Sequence, residues 1–200
     1  MNYFVTGIDT DSGKTLASAI LCEALGYDYW KPVQAGSPKD SDTIKSLAPK
    51  TFIHPEQYFL NTPASPHAAA KIDQVKIELT SFKAPKKTGL IIEGAGGCLV
   101  PLNDSDFVID LVPHVHASVI LVADLYLGSI NHTLLSAQLL KNRKYSVAGI
   151  IFNGKSNPES ERIILHHTQY RCLLQIDEEE QINPTIVQRY SELLKKNWHE

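Results

Sequence analysis

A short run near the start of the chain carries the residue types of a phosphate-binding turn. Gly7 and Gly13 stand six positions apart, and Lys14 and Thr15 follow the second glycine directly. In such a turn the backbone N–H groups surround the phosphates, a lysine reaches the outer phosphates, and a threonine hydroxyl binds Mg²⁺. The common form has four residues between its glycines, whereas this run has five. The run therefore predicts a nucleoside triphosphate site if the elements around it are suitable.

The elements around this run are those that a phosphate-binding turn requires. Tyr3–Thr6 has the apolar, β-branched character of a buried strand, and Lys14–Leu25 has helical spacing and is followed by Gly26. A tight glycine turn with a surface lysine is the alternative interpretation. The succession of strand, turn and helix favours the phosphate site.

Two acids and a second lysine also lie where predicted strands end. Lys31 is near the end of the second predicted strand, Asp42 follows within a short polar stretch that opens a helix, and Glu93 ends an apolar strand. A carboxylate on a buried strand is costly unless it is paired or binds a metal, and an acid at such a strand end binds Mg²⁺ or its water in phosphate-transferring proteins. Separately, Lys31 could be a solvated strand end and Asp42 a helix cap. Together they favour a phosphate-transfer site, with Lys14 and Lys31 at solvent-lined positions.

These side chains need a framework that brings strand ends together. Apolar β-branched runs alternate with helical patterns, which predicts an α/β fold with a mostly parallel central sheet and helices on both faces. Ligands of such sheets bind beyond the carboxyl ends of the strands. The predicted strands are Tyr3–Thr6, Tyr29–Val33, Gly89–Glu93, Ser118–Ala123, Val147–Phe152 and Cys172–Ile176. The predicted helices are Lys14–Leu25, Ser41–Leu47, Phe107–Pro113, Ile130–Asn142, Glu159–His167 and Pro184–Lys196. Residues 52–87 are expected to form loops and short helices over the sheet edge.

Composition limits the class of protein and its partners. A length of 200 residues with 43% hydrophobic content predicts a single domain, residues 1–200. A net charge of −3 gives no electrostatic footprint for nucleic acid or an anionic membrane, and no apolar run is long enough to cross a bilayer. Three dispersed cysteines predict neither a disulfide framework nor a zinc site. We therefore expect a cytoplasmic protein with no nucleic acid partner and no membrane partner.

Five motifs occur in the order seen in dethiobiotin synthetases, and the chain resembles that family over roughly its first three quarters. The motifs are Gly7–Thr15, Lys31–Gln34, Ser65–His67, Glu93–Gly97 and Gly128–His132. The five-residue gap between the first two glycines is the form that this family's phosphate loop takes. The resemblance implies a P-loop NTPase-like single domain.

The resemblance also implies an ATP- and Mg²⁺-dependent ligase of biotin biosynthesis. Dethiobiotin synthetases join CO2 to 7,8-diaminopelargonic acid and close a cyclic urea. One amine captures CO2 as a carbamate, whose oxygen attacks the γ-phosphate of ATP and forms a carbamic-phosphoric anhydride. The second amine then displaces phosphate and closes the ring, so no covalent enzyme intermediate is needed.

The resemblance implies a role for each motif residue. Lys14 and Lys31 would stabilise the carbamate and the transferring phosphoryl group, and Thr10 would donate a hydrogen bond to one of them. The implied Mg²⁺ ligands are Thr15, Asp42 and Glu93. The implied nucleotide-binding residues are Asp11, Ser12, Gly13, Lys14, Thr15, Leu16 and Asn153. The implied substrate-binding residues are Thr10, Lys31, Ser65, His67 and Gly96, together with Gly128, Ser129, Ile130 and Asn131 from a neighbouring subunit of a homodimer.

Departures from the family pattern leave alternatives open. Ala35 stands where relatives commonly have a hydroxyl residue, and the stretch Gln175–Glu180 lacks the usual Gly and Pro of the base-contacting segment. The base preference is therefore open. One alternative function is a P-loop partner-switch ATPase, although such loops usually carry an early lysine where this chain has Ile8 and Asp9. Others are a related ATP-dependent ligase acting on another small acid and a degenerate nucleotide-binding module.

Overall fold

A seven-stranded parallel sheet forms the centre of the molecule in the computed structural model, which describes residues 1–198. The strands are β1 (Asn2–Gly7), β2 (Asp28–Trp30), β3 (Val33–Ala35), β4 (Ile53–His54), β5 (Tyr58–Leu60), β6 (Leu90–Gly97), β7 (Ala117–Asp124), β8 (Val147–Asn153) and β9 (Cys172–Ile176). Their order across the sheet is β4-β2-β6-β1-β7-β8-β9, and β3 pairs with β5 in a separate small sheet. All these pairings are parallel.

Helices cover both faces of the large sheet. They are α1 (Lys14–Leu25), α2 (Asp40–Leu47), α3 (Pro66–Ile72), α4 (Leu111–His114), α5 (Ser129–Asn142), α6 (Pro158–Thr168) and α7 (Pro184–Asn197). Short 3₁₀ turns span Leu79–Ser81 and Val108–Asp110. The predicted α/β class is confirmed. The single-domain assignment to residues 1–200 stays a prediction, and its last two residues lie outside the described part of the chain.

Neighbouring residues of each central strand point to different cores. Val5 and Ile91 pack with α1, α2 and α7, whereas Phe4 and Ile92 pack with α3 and α4. Because successive strand residues face opposite sides, a strand that is buried on both faces must be apolar almost throughout. A charged residue in such a strand therefore needs partners within the protein.

The predicted strand Tyr29–Val33 is wrong as one element. The chain leaves the large sheet after Trp30 and enters the small sheet at Val33, with Lys31 and Pro32 between them. Proline has no N–H to give a neighbouring strand, and the Pro32 carbonyl instead accepts hydrogen bonds from the backbone of Gln57 and Tyr58. Lys31 is thus placed at the break between the two sheets.

Two further expectations need correction. Phe107–Pro113 is not one helix but a 3₁₀ turn followed by the four-residue helix α4, because the Asp110 carboxylate accepts from the Phe107 backbone N–H and tightens the turn. The segment 52–87 holds the short strands β4 and β5 as well as loops and helical turns. Strands of two or three residues show no usable alternation in sequence. No helix within residues 1–198 combines the length and apolar character that crossing a membrane requires.

Candidate active site

The phosphate loop joins β1 to α1 and is supported by the end of β8. Gly13 has φ +88°, and a Cβ built there would lie 2.4 Å from the side-chain nitrogen of Asn153. The same Asn153 nitrogen donates to the backbone oxygen of Ser12 at 3.2 Å. The left-handed backbone and the close approach both require glycine at position 13. Asn153, which the sequence placed near the nucleotide, therefore contacts the loop itself.

Lys14 is enclosed by its own loop. Its ammonium donates to the backbone oxygens of Asp9 at 2.9 Å and Thr10 at 2.6 Å. Burial lowers the pKa of Lys14, and the positive charge of Lys31 lowers it further, although the Glu93 carboxylate acts in the opposite direction. These acceptors are neutral carbonyl groups, so a nucleotide phosphate can replace them as a better partner for the charge.

The remaining loop residues differ in exposure. The side chains of Thr10 and Asp11 are exposed at the tip of the loop, whereas Ser12 is buried and donates from its hydroxyl to the backbone oxygen of Asp9. Leu16 lies half-buried in the first turn of α1. Thr10 is therefore free to meet a ligand from the solvent side.

Glu93 is a buried carboxylate with three hydrogen-bond donors. It lies in β6 beside Val5 of β1, and only 1% of its surface is exposed. Its Oε1 accepts from the Thr15 hydroxyl at 2.9 Å and from the Lys31 ammonium at 3.0 Å, and its Oε2 accepts from the Tyr29 hydroxyl at 3.0 Å. Donors to both oxygens offset the large cost of burying the charge.

Lys31 connects Glu93 to helix α2. Its ammonium lies 2.5 Å from Oδ2 of Asp40 and donates to the backbone oxygen of Gly94 at 3.2 Å. Burial alone would lower the pKa of Lys31, but the charges and hydrogen bonds of Glu93 and Asp40 outweigh it and raise the pKa. The ammonium therefore stays protonated at the break between the sheets.

The expectation that both lysines line solvent is wrong. Lys14 is 5% exposed and Lys31 is 4% exposed. The loop carbonyls cover the first, and two carboxylates enclose the second. The sequence places both at strand ends, but it does not show how the loop and α2 close over them.

Asp42, an expected Mg²⁺ ligand, does not take part in this cluster. Its side chain is exposed in the first turn of α2, and within residues 1–198 it forms no hydrogen bond or ion pair. The acid that contacts Lys31 is Asp40, two residues earlier. Sequence reasoning missed Asp40 because two acids in the same helical turn look equivalent. It also missed Tyr29, although its position two residues before Lys31 in the predicted strand Tyr29–Val33 indicates the same side of the sheet.

The oxygen atoms at Thr15 and Glu93 suit a magnesium ion. Mg²⁺ is usually held by one or two protein oxygens, with phosphate oxygens and water completing its octahedron. The Thr15 hydroxyl and Glu93 Oε1, 2.9 Å apart, are such a pair at the end of the phosphate loop. No group of three His, Cys, Asp or Glu side chains in the described chain could hold a metal by itself.

Thr10, Ser65 and His67 line one cleft of about 400 Å³. The Ser65 hydroxyl and His67 Nδ1 are 3.1 Å apart, and the His67 backbone N–H donates to the oxygen of Pro101. Gly96 lies beside Thr10, because a Cβ built on it would come 3.4 Å from the Thr10 hydroxyl. Apolar side chains complete the wall: Ile8, Leu99, Val100, Leu135 and Leu139. The cleft therefore offers polar groups at the loop and an apolar wall for a hydrocarbon chain.

The start of α5 lies outside that cleft. Gly128 to Ile130 line a second cavity of about 380 Å³ together with residues 155–157 and 160. The Ser129 side chain is 1% exposed, and its backbone N–H donates to the Tyr126 oxygen. The first turn of a helix leaves N–H groups without helical partners, here those of Ile130 and Asn131. Within one chain, these residues are not brought to Thr10 and His67.

Comparison with solved structures identifies the fold. A ParA family ATPase from Chlorobium tepidum matches with a TM-score of 0.58 and 12% identity, covering 96% of this chain and 97% of that one. The septum site-determining protein MinD from Pyrococcus horikoshii, solved with Mg-ADP, matches with a TM-score of 0.53 and 14% identity, covering 98% and 97%. Residues 1–185 also match the family model described as an AAA domain. Fold and loop together define a P-loop ATPase-type protein.

Curated relatives identify the family within that class. An ATP-dependent dethiobiotin synthetase from Cytophaga hutchinsonii is 57% identical over 203 residues, covering 99% of this chain and 98% of that protein. The enzyme of the same name from Christiangramia forsetii is 44% identical, covering 98% and 96%. The chain belongs to the dethiobiotin synthetase family, which confirms the resemblance carried by the five motifs. The low identity to ParA and MinD limits that likeness to the fold.

Proposed function

We propose that the chain catalyses the ATP-dependent closure of the cyclic urea of dethiobiotin from 7,8-diaminopelargonic acid and CO2. The observation that carries the proposal is the convergence of Lys14, Lys31, Thr15 and Glu93 in a chain that is 57% identical to an ATP-dependent dethiobiotin synthetase. Two positive charges and a hydroxyl–carboxylate pair at the phosphate loop are what transfer of a phosphoryl group to an anion requires.

The two lysines act on different charges of the reaction. The carbamate is an anion and must approach an anionic triphosphate, so positive charge is needed between them. Lys14 exchanges the carbonyls of its loop for phosphate oxygens and stabilises the charge on the transferring group. Lys31, at the edge of the small sheet, holds the carbamate close to the γ-phosphate, and Thr10 donates from the loop tip. Positioning and charge stabilisation together lower the barrier.

Thr15, Glu93 and Asp42 are the proposed ligands of Mg²⁺. When bound with ATP, the ion neutralises charge on the phosphate oxygens. Thr15 and Glu93 already hold an oxygen pair 2.9 Å apart. Asp40 is occupied by Lys31, so Asp42 is the acid of that turn available to the ion or to its water.

Replacement of Asp42 by asparagine is expected to raise the Mg²⁺ concentration for half-maximal activity about tenfold, because one oxygen ligand of the ion is weakened. Asp40→Asn is the matched control, since it changes the partner of Lys31 and leaves the ion's ligands in place. We expect Asp40→Asn to shift the Mg²⁺ midpoint less than about twofold. Initial rates measured over a range of MgCl2 concentrations at fixed ATP give the Mg²⁺ midpoint of each variant. The opposite ranking of the two variants would assign the ligand to Asp40.

The diamine is proposed to lie in the cleft between Thr10, Ser65 and His67, with its hydrocarbon chain along the apolar wall. Its carboxylate would bind the backbone N–H groups of Ile130 and Asn131 and the exposed side-chain amide of Asn131 of a second subunit, since a helix N-terminus attracts anions. Exposed apolar side chains around these regions support a homodimer: Leu99, Tyr126, Leu127 and Leu135. A shared site explains why the start of α5 lies away from the cleft within one chain.

The nucleotide is proposed to lie along the loop from Asp11 to Leu16, with its base near Asn153. Asn153 retains its side-chain oxygen as an acceptor, while its nitrogen supports Ser12. We also propose action in the cytoplasm, where ATP is available and where three free thiols suit a reducing environment: Cys22, Cys98 and Cys172.

Phosphate release tests the proposed function directly. The assay supplies ATP, Mg²⁺ and bicarbonate, with and without 7,8-diaminopelargonic acid. We expect release to depend on the diamine and to match dethiobiotin formation one to one. Repeating it with CTP and GTP measures the base preference. Release that ignores the diamine would instead indicate a switch ATPase, a function that the ParA-like fold also accommodates.

A further inference from the structure

We propose that Tyr29 is a positioning residue that fixes the Glu93 carboxylate, so that a single oxygen, Oε1, is presented to Thr15, Lys31 and the metal. The inference rests on the proposed metal role of Glu93. Tyr29 would touch neither substrate nor ion. It would act through the carboxylate that does.

The two oxygens of Glu93 have separate partners. Oε2 accepts from the Tyr29 hydroxyl at 3.0 Å, whereas Oε1 accepts from Thr15 at 2.9 Å and Lys31 at 3.0 Å. A glutamate side chain has several rotatable bonds, and its last torsion is broad. Without a donor on Oε2, the carboxylate could rotate and offer both oxygens to the cations. The phenol therefore selects one orientation of the acid.

The position of Tyr29 makes it a rigid support. Its side chain is fully buried. In β2, Tyr29 pairs with Ile91 of β6 on one side and with Ile53 of β4 on the other. Its backbone N–H donates to Phe52 at 2.9 Å. Ile91 precedes Glu93 by two residues and faces the same side of the sheet. The ring therefore stands next to the acid on a strand held from both sides.

Removal of the Tyr29 hydroxyl takes away the donor to Oε2 of Glu93. Groups that orient metal ligands typically change metal affinity by tenfold to a hundredfold when they are removed. A hydroxyl present only to fill the core would have no such effect on the ion.

Tyr29→Phe tests the inference with metal affinity as the readout. We expect the dissociation constant for Mn²⁺, measured by electron paramagnetic resonance with saturating ADP, to rise about tenfold. Tyr170→Phe is the matched control. Its hydroxyl donates to the backbone oxygen of Ala137 in α5 at 3.3 Å, from the connection between α6 and β9. The Mn²⁺ affinity of this variant should stay within about twofold of the wild type.

A double variant shows whether Tyr29 acts through Glu93. In a Glu93→Gln background, Tyr29→Phe should weaken Mn²⁺ binding by less than about twofold more, because coupled residues are not additive. Full additivity, or an unchanged Mn²⁺ affinity in folded Tyr29→Phe, overturns the inference. If Tyr29→Phe alone does not fold, the double variant should fold, since a buried amide that lacks the Tyr29 donor costs less than a buried carboxylate that lacks it. Failure of both to fold contradicts the pairing.

The metal measurement is independent of diamine turnover. Diamine-dependent phosphate release without a shift in Mn²⁺ affinity overturns the role of Tyr29 and retains the proposed function. A tenfold loss of Mn²⁺ affinity in Tyr29→Phe, with no diamine-dependent phosphate release by the wild type, supports the role of Tyr29 and overturns the proposed function. If Glu93→Gln binds Mn²⁺ with the affinity of the wild type, Glu93 is not a metal ligand and Tyr29 has no role through it.

Discussion

Lys31→Ala is expected to reduce diamine-dependent activity about a thousandfold and to lower the free energy of unfolding by about 3 kcal/mol. The activity falls because the proposed carbamate loses its positive partner. The stability falls because Glu93, only 1% exposed, loses one of its three donors. The loss is placed at the lower end of the range for broken buried pairs, because Thr15 and Tyr29 still donate to that carboxylate.

Thermal unfolding and initial rates together test the Lys31 prediction. For a domain of this size, the midpoint should fall by about 6 to 12 °C. Lys45→Ala is the control, since that lysine is exposed and donates to the Pro49 backbone oxygen, and its replacement should change stability by less than about 0.5 kcal/mol. Lys31→Ala with unaltered unfolding would show that the ion pair adds no stability. Activity within tenfold of the wild type would remove Lys31 from catalysis.

Lys14→Ala is expected to lose activity to the same degree, about a thousandfold, with almost no loss of stability. Lys14 is buried against the neutral carbonyls of Asp9 and Thr10, and it forms no ion pair with any of residues 1–198. Both carbonyls belong to exposed residues, so water can satisfy them when the ammonium is removed. Lys14→Ala and Lys31→Ala should therefore lose activity to the same degree, whereas only Lys31→Ala should lower the free energy of unfolding.

The difference in the free energy of unfolding between the wild type and Lys14→Ala should depend on pH with a definite sign. Because the pKa of Lys14 is lowered in the folded protein, the unfolded chain binds more protons between that value and 10.5. The wild type then gains stability as pH rises through this interval. If Lys14→Ala is more stable than the wild type at neutral pH, this difference in the free energy of unfolding should become smaller as pH rises through the interval. Chemical unfolding at pH 7 and pH 10 measures it, and an advantage that grows with pH would contradict the buried position of the ammonium.

Mixing inactive Lys14→Ala chains with inactive Asn131→Ala chains extends the test to the dimer. If each site takes Lys14 from one subunit and Asn131 from the other, a mixed dimer has one intact site. Random mixing should then restore about a quarter of wild-type activity. Confirmed mixed dimers without activity would contradict the shared site.

The sequence predicts the framework well where glycines mark the ends of elements. The helix Lys14–Leu25 has the predicted bounds because Gly13 and Gly26, both at positive φ, flank it. Strand β9 also has the predicted bounds, since its apolar run ends abruptly at Ile176. Such local signals depend on neighbours in sequence, and they are visible before any tertiary contact is known.

The details of the site depend on contacts between residues that are distant in sequence, and such contacts cannot be predicted from local sequence patterns. The burial of Lys31 results from Glu93 on another strand and Asp40 on a helix. The choice between Asp40 and Asp42 depends on how α2 is rotated over the sheet. The support of Gly13 by Asn153 joins residues 140 positions apart. None of these follows from propensity or periodicity along the chain.

The position of β1 has a consequence for the making of the protein. β1 precedes every other strand of the large sheet in the chain, yet it lies between β6 and β7, where Val5 pairs with Glu93 on one side and with Ile120 on the other. Its partners are thus translated late, and such long-range parallel pairing delays folding. The loop that follows β1 waits even longer for Asn153. A nascent chain therefore carries its nucleotide motif without this support until Asn153 has been synthesised.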